Sequence, residues 1–169
     1  MLRLFRERFR MASRRYTVIA SYLIAFILLC DQLSKWWVLY GVRVRPDDPL
    51  VVTPYLNFVL VLNRGVTFGM LNRMNHELTP WILVACAVVI VFLLGRWLWK
   101  TQSRLVSLGL GAVIGGALGN IADRIRFGAV IDFIDFHALG YHWYAFNVAD
   151  AAIVTGVGLL VIDSLVRAK

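Results

Sequence analysis

The sequence predicts an all-α membrane protein, with four transmembrane helices, a small β-sheet lying on the outer membrane surface and both termini cytoplasmic. Three observations carry this. Of 169 residues 60% are hydrophobic and 17% charged, with a mean hydropathy of +0.71, which is too apolar for an ordinary soluble domain. Four apolar stretches of about 17 to 25 residues fall in the length range of helices that cross a hydrocarbon core of roughly 30 Å. Finally, the Lys and Arg residues fall in short runs beside those stretches, where they act as topology signals. The same distribution excludes nucleic acid as a partner, although the net charge is +8.

The chain reads as one integral membrane domain over 1–169, opened by a basic cytoplasmic leader, 1–15, that holds six arginines against the single acid Glu7. The first span is predicted over about 16–40. It is read as retained and not as a cleaved signal peptide, because Asp31-Gln32-Leu33-Ser34-Lys35 follows with no small-residue cleavage site, and Leu28 and Leu29 are too bulky for a lipoprotein-type site at Cys30. Trp36, Trp37 and Tyr40 at its end form an interfacial aromatic belt. Residues 50–62, rich in Val, Leu, Tyr and Phe and punctuated by Pro49 and Pro54, read as strands.

The second span, about 80–99, starts at Thr79-Pro80 and closes on Arg96, Trp97, Trp99 and Lys100. In the third, about 105–121, Gly109, Gly111, Gly115, Gly116 and Gly119 make small-residue ridges that permit close helix approach. Residues 129–136 are a further strand candidate, and the fourth span is predicted over about 146–166. With both termini inside, eleven of the eighteen Lys and Arg residues lie in short inner segments and seven lie outside, the arrangement that the positive-inside rule favours.

This topology brings unusual polar residues to the outer ends of the spans. A charge in hydrocarbon costs roughly 2.5 to 3.5 kcal/mol on insertion scales and persists for a purpose. Asp31 and Lys35, spaced i and i+4, share a helix face and can pair. Asn120, Asp123 and Arg124 lie on one side of the third helix, and Asn147 and Asp150 open the fourth. Asp132 and Asp135, at odd spacing in a strand, point to opposite faces, with Asp135 expected to face water. Asp163, near the cytoplasmic end of the fourth helix, is expected to be solvated or to pair with Arg167. Two neighbouring carboxylates cannot both ionise at neutral pH, so Asp132 with Asp150 would share one proton and hold a base and an acid together. That suits peptide hydrolysis without a metal or a covalent nucleophile.

Other chemistries fit less well. Ser34 and Lys35 are adjacent and do not face each other as a serine-lysine pair would. His76, His137 and His142 lack metal-site spacing and read as surface histidines, while Cys30 and Cys86 read as buried small hydrophobes without a disulfide framework. A proton-coupled transporter would also use intramembrane carboxylates; it is disfavoured because the polar set gathers at one end and no internal repeat is visible.

The motifs Asp31-Gln32-Leu33-Ser34-Lys35, Asn63-Arg64-Gly65-Val66-Thr67-Phe68, Gly115 through Arg124, Val130-Ile131-Asp132-Phe133 and Phe146-Asn147-Val148-Ala149-Asp150 together resemble the bacterial lipoprotein signal peptidases, also called signal peptidase II. The resemblance implies an aspartic peptidase of the inner membrane with its active site at the periplasmic side. Asp132 and Asp150 would be its catalytic dyad. Asn63, Asn120, Arg124 and Asn147 would hold the substrate backbone or the dyad, with Asp31 and Lys35 as a supporting pair; Gly65 and Asp123, in the same motifs, belong to the substrate-binding or supporting set. The implied substrate is a prolipoprotein whose cysteine carries diacylglycerol, cut just before that cysteine within the lipid bilayer. No cofactor is implied. Arg64, where many relatives have a small polar residue, and the Arg-rich leader depart from the pattern.

Overall fold

The computed structural model describes residues 2–65 and 78–168, with side chains from Arg15 onward. The leader side chains, Val66-Thr67-Phe68, Arg73 and His76 lie outside the described residues. The element order is α1 (Leu2–Trp36), a π-helical turn (Trp37–Gly41), β1 (Leu50–Thr53), β2 (Leu56–Asn63), α2 (Thr79–Lys100), α3 (Arg104–Phe127), β3 (Val130–Ala138), β4 (Tyr141–His142) and α4 (Val148–Arg167). Four helical stretches, Arg15–Gly41, Thr79–Lys100, Arg104–Phe127 and Val148–Arg167, are long and apolar enough to cross a membrane.

The third helix is the axis of the bundle, and its glycines explain why. Gly111 and Gly115 lie against Ala20, Ile24 and Ile27 of α1, while Gly109 and Gly116 lie against Gly156, Ala149 and Ile153 of α4. A Cβ at Gly109 would come within 2.9 Å of the Gly156 carbonyl oxygen, so larger residues would push the helices apart. Ala20, Leu98, Val106, Leu110 and Ile114 form the buried core around this axis. The flanking helices turn apolar side chains outward, among them Phe26, Leu29, Phe92, Leu93, Val154 and Val161, as lipid-facing helices do.

The strands form one antiparallel sheet in the order β1-β2-β3-β4. It rests on the π-helical turn that follows α1, where Trp37 packs edge-on against Phe58 at 5.7 Å and Phe58 against Phe133 at 5.9 Å.

Several boundaries depart from expectation. The α-helical part of the first span stops at Trp36 and passes into the π-helical turn that ends at Gly41. The third helix continues to Phe127 and ends on Gly128, whose φ of +67° is the left-handed conformation that suits glycine at a helix end. Beyond Ile121 the apolar pattern fails because the polar residues there meet protein, not lipid. Cys86 is exposed and Cys30 half-buried, which corrects the expectation that both are buried; each lies on a helix with outward-facing positions that hydropathy alone cannot separate from the core. The Asp163–Arg167 pair forms at 2.6 Å, with Ser103 also donating to Asp163 at 2.8 Å.

Candidate active site

The polar residues converge where the ends of α1 and α3, the start of α4 and strands β2 and β3 meet. At the base lies a buried ionic triad. Lys35 Nζ is 2.7 Å from Asp31 Oδ2 and 2.8 Å from Asp123 Oδ2, and all three side chains are at most 3% exposed. Each acid spends its remaining acceptor capacity on a neighbouring backbone. Asp31 Oδ1 accepts from the Ala149 amide at 3.0 Å, and Asp123 Oδ2 accepts from the Ile131 amide at 3.1 Å. Gln32 Nε2 bridges the two acids, donating at 3.1 Å to Asp31 and 2.9 Å to Asp123, and its Oε1 accepts from Arg126. Gly119 is required here, since a Cβ would stand 2.5 Å from Asp31 Oδ2.

Ala149 precedes Asp150 and Ile131 precedes Asp132, so the triad anchors the backbone beside both predicted dyad acids. Above it, three asparagines hold those acids. Asn63 Nδ2 donates to Asp132 Oδ2 at 3.0 Å, and Asn147 Nδ2 to Asp132 Oδ1 at 2.7 Å. Asn120 Nδ2 donates to Asp150 Oδ1 at 2.8 Å. Lys35 also reaches Asn120 Oδ1, at 3.4 Å, which turns the amide of Asn120 toward Asp150. Asn147 is the N-cap of α4, and with Asp150 three residues on it forms a capping box in which each side chain binds the other's backbone amide. Asp150 is thus part of the helix cap, and Asn147 touches both acids.

Asp132 is 2% exposed. Burial pushes its carboxyl up from 3.8 to about 6; nearby Asp150 acts in the same direction, while the amides of Asn63 and Asn147 and the charge of Lys35 pull it back. Arg124 Nη1 donates to the Asn120 carbonyl at 3.3 Å, and the guanidinium feels the charges of Asp150, Asp123 and Asp132. Its buried Nε has no partner among the described residues. Gly65, at φ +76°, donates its amide to Asn63 Oδ1 at 2.8 Å and so orients the Asn63 amide.

The structure thus brings together every predicted site residue: Asp31, Lys35, Asn63, Gly65, Asn120, Asp123, Arg124, Asp132, Asn147 and Asp150. It corrects two neighbours. Asp135 does point away from Asp132, but it is buried and does not face water, because Asn57 of β2 and His142 of β4 cover it at 3.2 Å and 2.9 Å. His137 is half-buried and not a surface residue, its ring stacked on His142 at 4.9 Å. Gln32 and Asn57 were missed as contributors. For Gln32 the signal was its place beside Asp31 at a helix end facing α3; for Asn57 there was none without the strand register.

Known proteins resemble this chain over most of its length. The family model described as Signal peptidase (SPase) II matches residues 23–166. A lipoprotein signal peptidase from Methylorubrum extorquens (strain PA1) is 44% identical over 151 residues, 88% of each chain. Another from Beijerinckia indica subsp. indica is 43% identical over 143 residues, 84% of this chain and 85% of the relative. A solved structure of a bacterial membrane enzyme, obtained by the in meso method, superposes with a TM-score of 0.76 at 25% identity, covering 89% of this chain and 90% of the other.

Proposed function

Because the chain belongs to the signal peptidase II family, we propose that it is an aspartic endopeptidase of the bacterial inner membrane that cuts diacylglyceryl-modified prolipoproteins just before the lipidated cysteine. The observation that carries this reading is the sharing of Asn147 by Asp132 and Asp150, at a buried site where Asp132 holds its proton up to about pH 6. The ionised member of the pair takes a proton from water, and the resulting hydroxide oxygen bonds to the scissile carbonyl carbon. The protonated member gives its proton to the carbonyl oxygen, forming a neutral tetrahedral intermediate. On collapse, the C–N bond breaks, the amine nitrogen takes a proton from the acid that received it from water, and the carbonyl re-forms by returning its proton to the other acid.

Both termini are cytoplasmic in this reading and the sheet is periplasmic, which puts the pair near the outer interface. A signal peptide is itself an apolar helix, so it reaches the site laterally through lipid while the diacylglyceryl chains stay in the bilayer.

The test is cleavage by the purified protein in proteoliposomes, with product termini read by mass spectrometry. The expected product begins at the diacylglyceryl cysteine, and precursor lacking the lipid is cut far more slowly. Cleavage at another bond, or equal rates on both precursors, would defeat the assignment.

The pH profile follows from Asp132. Asp132 keeps its proton only up to about pH 6, and above that the pair loses its acid, so kcat falls as the solution is made alkaline through that value. Since the Asn63 amide pulls the Asp132 carboxyl down, Asn63→Ala moves this limb to higher pH. A limb centred near pH 4 in the parent, or one unmoved in Asn63→Ala, would contradict the assignment.

A further inference from the structure

The register of β2 against β3 contains an inconsistency that only an extra residue resolves. Asn57 and Asn63 are six apart, so on a regular strand they would share a face. Asp132 and Asp135 are three apart and face opposite ways. Yet Asn57 donates to Asp135 and Asn63 donates to Asp132. The pairing shows how: Phe58 opposes Ile134 and Val61 opposes Asp132, three steps on β2 against two on β3. One residue at 59–60 is bulged, and the bulge inverts the alternation beyond it. In a bulge-free ladder that kept Asn57 opposite Asp135, Leu60 would oppose Asp132, and Asn63 would turn to the other side of the sheet.

We propose that Asn57, Asp135 and His142 form a positioning element that confines this bulge to 59–60 and thereby holds Asn63 on the Asp132 carboxylate. This rests on the catalytic role proposed for Asp132. Asp135 is 6% exposed, and its Oδ2 accepts from Asn57 Nδ2 at 3.2 Å; both of its oxygens lie within 3.0 Å of His142 Nδ1. Sliding β2 by one residue here would set Asp135 against Phe58 and leave a buried carboxylate without its amide donor, which penalises the slip. Asn57 Oδ1 is buried and has no partner among the described residues, so the Asp135 contact is the hydrogen bond this side chain is buried to make. None of the three residues touches Asp132, Asp150 or the asparagines that hold them, and their effect on the reaction passes through strand register.

The test compares four variants in the reconstituted assay: Asp135→Leu, Asn57→Leu, His142→Ala, and the exchange Asn57→Asp with Asp135→Asn. The exchange keeps a donor facing an acceptor across the strands, and the side-chain amide it puts at position 135 still offers His142 an oxygen. Misplacing Asn63 by about an ångström lowers kcat about tenfold in the two Leu variants, with KM near the parental value and the pH limb moved up as in Asn63→Ala. The His142 side chain is exposed, so His142→Ala folds; it lowers kcat a few-fold with the same displacement. The exchange restores both kcat and the limb to near the parental values. Parental kcat and pH profile in His142→Ala, or a folded exchange variant no faster than Asp135→Leu, would overturn the inference. Asp132→Asn separates the premises: if it is active the dyad reading fails, and if it is inactive while the four variants behave as the parent, only the positioning element fails.

Discussion

Asp132→Asn and Asp150→Asn are each expected to abolish prolipoprotein cleavage while leaving a folded protein. Loss of a positioned acid or base removes about 10²- to 10⁴-fold of rate, and loss of either half of a proton-sharing pair removes both functions together. The double variant is therefore expected to be no slower than the single ones, because residues that act as a unit are not additive. Folding survives because both substitutions are isosteric and remove a charge. Asn63 and Asn147 both donate to Asp132, so an Asn there turns its NH₂ toward one of them and loses a hydrogen bond worth about 1 kcal/mol. At Asp150 the cost is the reciprocal half of the capping box, also about 1 kcal/mol. Product formation and thermal unfolding measured on the same preparations check both halves. Near-parental turnover by either single variant would remove the pair from the mechanism.

Most of this site could be read from the sequence because lipid is a severe filter. Asp31, Asp132 and Asp150 stood out since an acid among apolar residues is expensive, and the helical spacings of Asp31 with Lys35 and Asn120 with Asp123 placed them correctly on their faces. What escaped depended on contacts distant in sequence. Asp135 was rightly turned away from Asp132 by strand alternation, but alternation says nothing about what lies opposite, and Asn57 and His142 exclude water there. The continuation of α3 to Phe127 was hidden because hydropathy measures fitness for lipid, whereas Asp123 is offset by Lys35 and the Ile131 amide. Cys86 shows the converse limit: an apolar helix looks the same to hydropathy whether a residue faces lipid or protein. The bulge at 59–60 left no trace in a run of Val and Leu that reads equally well in either register.

The largest loss of stability is expected from Lys35→Met. Methionine matches the lysine stem in length, so packing changes little and the loss is the charge. That charge stands between Asp31 and Asp123, both inaccessible to solvent, and without it two carboxylates are buried with no cation between them. Breaking a buried ion pair by removing one partner costs about 3 to 5 kcal/mol, which for a chain of this size lowers Tm by about 10 °C. Adding Asp31→Asn to Lys35→Met removes one of the unpaired charges and is expected to recover part of the loss. Full recovery is not expected from wholly apolar replacements, since Asp31 and Asp123 also satisfy the amides of Ala149 and Ile131. Those amides adjoin Asp150 and Asp132, so cleavage should fail along with stability. Thermal unfolding of Lys35→Met is the deciding measurement: a parental Tm would mean that the triad does not hold the ends of the helices together.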